Sequence, residues 1–197
     1  MPNAQTHDLI TVVSGFAMLS PAYAAFLTAD PERAVLRTGM LFGAHLLSGV
    51  MFSPDLDLDS AIDDRWGIFY WIWTPYAYIM PHRHFWSHGL ILAPLLRLAY
   101  FFGVVMLLIY LTALGLTEVG MVVPDYHTRL ADALVGLIAA YPDETLVFLL
   151  GFITGSAAHT IADWLVTGGK HYLARLGYRP RRSYANHDRS IHRARPL

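Results

Sequence analysis

Pro81-His82-Arg83-His84-Phe85-Trp86-Ser87-His88-Gly89 leads without a break into the apolar run that begins at Leu90. Three histidines within seven residues therefore stand at the mouth of a segment long enough to cross a bilayer. That placement decides the class of fold. Working outward, further segments carrying His or Asp fall near the ends of the other apolar runs.

Composition points the same way. Apolar residues make up 55% of the 197-residue chain and charged residues only 15%, and the mean hydropathy is positive, which is too apolar for an ordinary soluble domain of this size. A crossing helix needs about 20 mostly apolar residues, because each residue rises about 1.5 Å through a hydrocarbon layer about 30 Å thick. Leu9 to Leu27, Leu36 to Phe52, Gly89 to Leu116 and Leu146 to Val166 meet that requirement. The block from Trp66 to Met80 is aromatic but interrupted by Pro75, and reads as an interfacial helix. Leu130 to Ala140 is too short to cross and reads as a membrane-surface or partly inserted helix. The expected architecture is thus an all-α integral membrane bundle of about four transmembrane helices plus one interfacial aromatic helix. Residues 1–168 form the membrane-embedded metal-binding domain and residues 169–197 a basic cytoplasmic tail. Ala22-Tyr23-Ala24 imitates a signal-peptide cleavage site, but residues 1 to 8 lack the Lys or Arg of an n-region, so the first span is expected to be retained.

The chain has no cysteine, which removes disulfides, thiolate nucleophiles and Cys-type zinc sites from consideration. Any metal is held by imidazole and oxygen. Of the fourteen Lys and Arg residues, eight lie between Lys170 and Arg195. With four crossings, these eight share one face with Arg65 and Arg83, while Arg33, Arg37 and Arg129 lie on the other. The positive-inside rule then puts the first face in the cytoplasm. His7, the acidic loop after the second span, the histidine cluster and the end of the last span all fall on it, and an odd number of crossings would scatter them.

Each constellation has an ordinary reading beside a chemical one. His7, alone before the first span, is ordinarily an interfacial residue. Asp55, Asp57 and Asp59 alternate after the second span, where they form either a solvated helix-exit turn or, in an extended segment, a row of carboxylates that a divalent cation would bridge. His84 and His88 share a helical face if the segment is helical, and His82 and His88 converge if it is a loop; the ordinary reading is interfacial packing. His159 and Asp163 stand four residues apart inside the last span, where an ionisable pair is expensive and reads as ligand or as ligand plus orienting carboxylate. Gly151, Gly155, Ser156, Ala157 and Ala158 before them admit a close neighbour. His45, about ten residues and roughly 15 Å above the acidic loop, reads as a buried hydrogen-bonding residue. Arg97 is expected to snorkel or to pair with a carboxylate.

Taken in order, Thr6-His7-Asp8-Leu9-Ile10-Thr11, Gly49-Val50-Met51-Phe52-Ser53-Pro54-Asp55-Leu56-Asp57, Arg65-Trp66-Gly67, Trp71-Ile72-Trp73, Pro75-Tyr76, Pro81-His82-Arg83, Ser87-His88-Gly89 and His159-Thr160-Ile161-Ala162-Asp163-Trp164 resemble the DUF2227 family of uncharacterized metal-binding membrane proteins. More distantly, the set is similar to the YdjM-like (DUF457) membrane-bound metal-dependent hydrolases. The resemblance implies a bacterial inner-membrane or cyanobacterial multi-pass protein with a cytoplasmic metal site. Carried over residue by residue, it implies His7, Asp55, Asp57, His82, His88, His159 and Asp163 as metal ligands; His84 and the tail stand outside that set.

Seven ligands exceed one tetrahedral ion and suit two or more divalent ions, zinc first, with manganese and iron as alternatives. The expected activity is hydrolysis of a lipid or phosphoester at the cytoplasmic membrane face, with Arg83 as the catalytic, phosphate-binding residue. The bilayer and anionic headgroups are the expected partners, and no nucleic acid is expected. A non-catalytic metal protein for transport, sensing or assembly is the competing class; transport predicts midplane ligands and hydrolysis an interfacial cluster. A membrane di-iron hydroxylase would need several closely spaced histidine pairs, and only His84 and His88 supply one.

Overall fold

A computed structural model describes residues 4–57, 65–80, 89–121 and 125–175, with side chains at all of these except 4, 55, 57 and 167–175. The described residues form six α-helices and no strand. They are α1 (Ala4–Ala29), α2 (Ala34–Met51), α3 (Thr74–Ile79), α4 (Leu92–Glu118), α5 (Tyr126–Ala140) and α6 (Pro142–Arg175), with short 3₁₀ turns at Pro54–Asp57 and Gly67–Trp73. Helices α1, α2, α4 and α6 are long and apolar enough to cross a membrane, and they carry the four expected spans. Helix α5, at 15 residues and about 22 Å, falls short of a crossing and buries none of its residues.

The aromatic block is interrupted at Pro75, where the 3₁₀ turn ends at Trp73 and α3 begins at Thr74. The proline occupies the first turn of α3, where its missing N–H leaves no hydrogen bond unmade and its fixed φ suits a helix start. The block is two-sided: Trp73 and Tyr76 are buried, whereas Ile68, Phe69, Trp71 and Tyr78 face outward. The buried side meets Phe52 at the end of α2, whose ring lies edge-on to Trp73 at 5.5 Å, Phe101 at 5.3 Å and Phe152 at 5.3 Å. These edge-to-face contacts join α2, α4 and α6 through one residue. Arg65 and Trp66 stop α2: Arg65 Nη1 donates to the Val50 carbonyl at 2.6 Å and Trp66 Nε1 to the Met51 carbonyl at 2.9 Å, satisfying acceptors that a helix end leaves open. Arg65 Nη2 also pairs with Asp8 at 2.5 Å, which draws the start of α1 to the end of α2.

Helices α1, α2 and α6 form the tight part of the bundle. A Cβ at Gly151 would collide with the Leu41 carbonyl oxygen, and one at Gly155 with that of His45, so the backbones of α2 and α6 touch through glycine as expected from the small residues there. His45 is fully buried in this interface and hydrogen-bonded at both ring nitrogens, Nδ1 to Thr154 Oγ1 at 3.1 Å and Nε2 to the Thr11 carbonyl and Ser14 Oγ, both at 3.0 Å. It is the buried hydrogen-bonding residue its depth suggested. Arg97 is fully buried and donates to Ser156 Oγ, an interior hydroxyl on α6, at 2.6 Å.

The start of α1, the end of α2, the start of α4 and the lower half of α6 meet at one end of the bundle. At the other end Arg33 donates to Glu144 at 2.7 Å, and Arg37 bonds both Glu144 and Asp143 at 3.2 and 3.0 Å. Hydrogen bonding to Glu144 pushes the Arg33 guanidinium further above its ordinary value.

Because a backbone carbonyl cannot move aside as a side-chain tip does, Gly155→Ala should separate α2 from α6 and cost about 1–3 kcal/mol. Gly39→Ala, at a helix position with nothing within 4 Å, should leave stability unchanged or slightly raised. Thermal unfolding of the two variants in detergent checks the contrast, and equal losses would mean that the α2–α6 contact is not tight.

Candidate metal centre

His7 lies in the second turn of α1, and His159 and Asp163 follow one another by a turn on α6, so two helices bring three donors to the same end of the bundle. All three are buried, with residual exposures of 4%, 1% and 8%. The imidazoles of His7 and His159 stack with centroids 3.7 Å apart and planes 16° from parallel. Their Nε2 atoms face the two oxygens of one carboxylate: His7 Nε2 lies 3.3 Å from Asp163 Oδ1, and His159 Nε2 lies 3.7 Å from Asp163 Oδ2.

The arrangement fits a cation. Neither buried oxygen of Asp163 accepts a hydrogen bond among the described residues, a costly state for a carboxylate that a metal ion would relieve. One ligand atom from each residue lies within 4.8 Å of the others. Donors bound to one tetrahedral ion at about 2.0–2.2 Å stand about 3.3–3.6 Å apart, so closure by about an ångström at the widest pair would convert this cluster into a coordination set. Two imidazoles and a carboxylate suit zinc, manganese or iron.

Ser53 supplies what the ligand set alone lacks. Its Oγ lies 3.0 Å from His159 Nδ1; with the proton on Nδ1 donated to Ser53, Nε2 turns its lone pair toward Asp163, the arrangement in which an outer partner fixes a metal-binding imidazole. Ser53 is itself buried at the end of α2, so α2 orients a ligand carried by α6. Asp8, next to His7, is tied to Arg65 as described above, which anchors the first turns of α1. Ser53 and Arg65 both stand in motifs visible in the sequence, but a lone Ser or Arg carries no spacing signal for its role. The partner sits more than a hundred residues away in one case and 57 in the other.

Of the seven expected ligands, His7, His159 and Asp163 are thus brought together. The backbone of Asp55 and Asp57 forms the 3₁₀ turn that packs against α6, while their side chains lie outside the described residues. His82, Arg83, His84 and His88 also lie outside them.

Fold and site together describe an all-helical protein with four helices long and apolar enough to span a membrane and a buried histidine–aspartate cluster that could hold a metal ion at one end of its bundle. The chain belongs to the DUF2227 family, described as uncharacterized metal-binding protein, whose model matches residues 2–173. No curated protein and no solved structure matches it.

Ser53→Ala should weaken metal binding by about 10- to 100-fold while leaving helix content unchanged. Competition against a chromophoric chelator, with circular dichroism as the control, measures both. An unaltered affinity would show that Ser53 does not orient His159.

Proposed function

We propose that the cluster is the metal centre of a hydrolase acting on a lipid or lipid-linked phosphoester at the cytoplasmic face of a bacterial inner membrane. The observation that carries this reading is the position of the buried Asp163 carboxylate. It faces two imidazoles one helical turn before the apolar run Leu146 to Val166 gives way in the sequence to Thr167-Gly168-Gly169-Lys170 rather than at the middle of that run, a depth that suits the approach of a headgroup better than transport.

His7, His159 and Asp163 would hold the metal, joined by Asp55, Asp57, His82 and His88 if two or more ions bind. A divalent ion so held supplies Lewis acidity and an activated water. The chain's own residues do the rest. Ser53 fixes the His159 ring, Asp8 and Arg65 hold the first turns of α1, and Arg83 binds the phosphate and offsets charge developing on its oxygens. The ten cationic side chains on this side of the topology favour the cytoplasmic assignment.

One observation favours the non-catalytic alternative of sensing or assembly. The three described ligands are nearly closed to solvent, as in structural metal sites, whereas a catalytic site keeps a position open.

The two readings part in one experiment on detergent-purified protein, combining metal analysis by plasma mass spectrometry with a screen of phosphoester substrates. The hydrolase reading expects two or more equivalents of metal in the wild type, lost together in His88→Ala and Asp163→Ala. It further expects turnover that falls at least tenfold in Arg83→Ala with its metal retained. Metal without turnover supports the closed site; a wild type that binds no metal removes both readings.

A further inference from the structure

A cavity of about 530 Å³, half open to its surroundings, lies between α2, α4, α5 and α6, away from the metal centre. Met40, Leu98, Phe102, Leu137, Phe148 and Leu149 form its walls, and Glu144 is the one charged residue among its described lining. Protein interiors are packed as densely as organic crystals, and a void of this size between membrane-spanning helices does not stay empty. Water gains too few polar partners there to fill it. The volume falls within the range of small-molecule sites, and the apolar molecule always present between such helices is a lipid acyl chain.

The mouth of the cavity identifies the rest of the occupant. Glu144 sits where the ion-pair network of α1, α2 and α6 closes, and its side chain is only 9% exposed, as Arg37 is only 11%. Three members of the network remain accessible: the Arg33 guanidinium, with 46% of its side chain exposed, the Asp143 carboxylate, with 68%, and the Asp30 carboxylate, with 34%. All three are anchored through the same cluster, Arg33 through Glu144 and the two carboxylates through Arg37. They do not line the cavity themselves but adjoin it through Glu144, and they present one cation and two anions, not a basic patch. An anionic headgroup would meet the carboxylates as well as the guanidinium, whereas a headgroup carrying both a phosphate and an ammonium matches both signs.

We propose that this cavity binds one acyl chain of a zwitterionic, amine-bearing phospholipid of the bilayer, with its phosphate at Arg33 and its ammonium at Asp143. The site holds a resident lipid that seals α5 against α2, α4 and α6, and it does not rest on any reading of the metal centre, which lies at the other end of the bundle.

The test reconstitutes the full chain in vesicles of equal parts phosphatidylethanolamine and phosphatidylglycerol, re-extracts it in mild detergent and counts retained lipid per chain by native mass spectrometry. The expected result is one retained phospholipid, at least tenfold in favour of phosphatidylethanolamine. Leu137→Trp and, separately, Leu98→Trp place an indole in the cavity from two different walls; each should cut retention at least tenfold with metal content unchanged. The two variants guard against misfolding of either. Arg33→Gln combined with Asp143→Asn should abolish the headgroup preference. Absence of retained lipid in the wild type, equal retention in a folded tryptophan variant, or equal retention of the two headgroups would overturn the proposal.

Discussion

The contact on which the rest of the molecule depends is the meeting of the α2 and α6 backbones across Gly151 and Gly155. Between apolar helices in a bilayer there is no hydrophobic force to hold two surfaces together, so close packing and interior hydrogen bonds carry the association. Glycine allows the carbonyls of Leu41 and His45 to lie directly against α6. That distance lets His45 reach Thr154 on one side and α1 on the other, and one helical turn or two further along it lets Ser53 reach His159. The candidate metal centre thus depends on helix spacing: a wider α2–α6 gap would take Ser53 out of reach of His159 and leave that ligand without its orienting partner.

Packing is unequal around the bundle. Helices α1, α2 and α6 are joined by glycine contacts, a buried imidazole and ion pairs at both ends. Helix α4 leans on them through aromatic rings and through Arg97 near its start, and α5 buries no residue. Rigidity is concentrated where the histidines and Asp163 must be held within tenths of an ångström. The looser side is where the large apolar cavity lies.

How much of this was legible in the sequence follows from which physical signals are local. Span length and composition are local, and the four crossing helices and the short α5 are where apolar runs placed them. The pairing of His159 with Asp163 is local too, since four residues make one helical turn, and the shared face of His7 follows from counting crossings. Pro75 announces an interruption of the aromatic block, but that the chain resumes at once as a short helix is not legible until the neighbouring packing is known. For Arg97, expected to snorkel or to pair with a carboxylate, the hydrogen bond to Ser156 was not legible because that hydroxyl stands on another helix, 59 residues away. The roles of Ser53 and Arg65 depend on tertiary distance alone, which no spacing encodes.

The metal cluster also says something about how such a protein is made. His7 stands at the start of the first crossing helix and Asp163 near the end of the last, so the first donor to be synthesised waits for the final span before its partners exist. The cluster needs α1 and α6 together, since neither helix alone carries all three donors. An ion bound across it would stabilise only a bundle in which both helices are in place, so such an ion would tie together parts of the chain synthesised more than 150 residues apart.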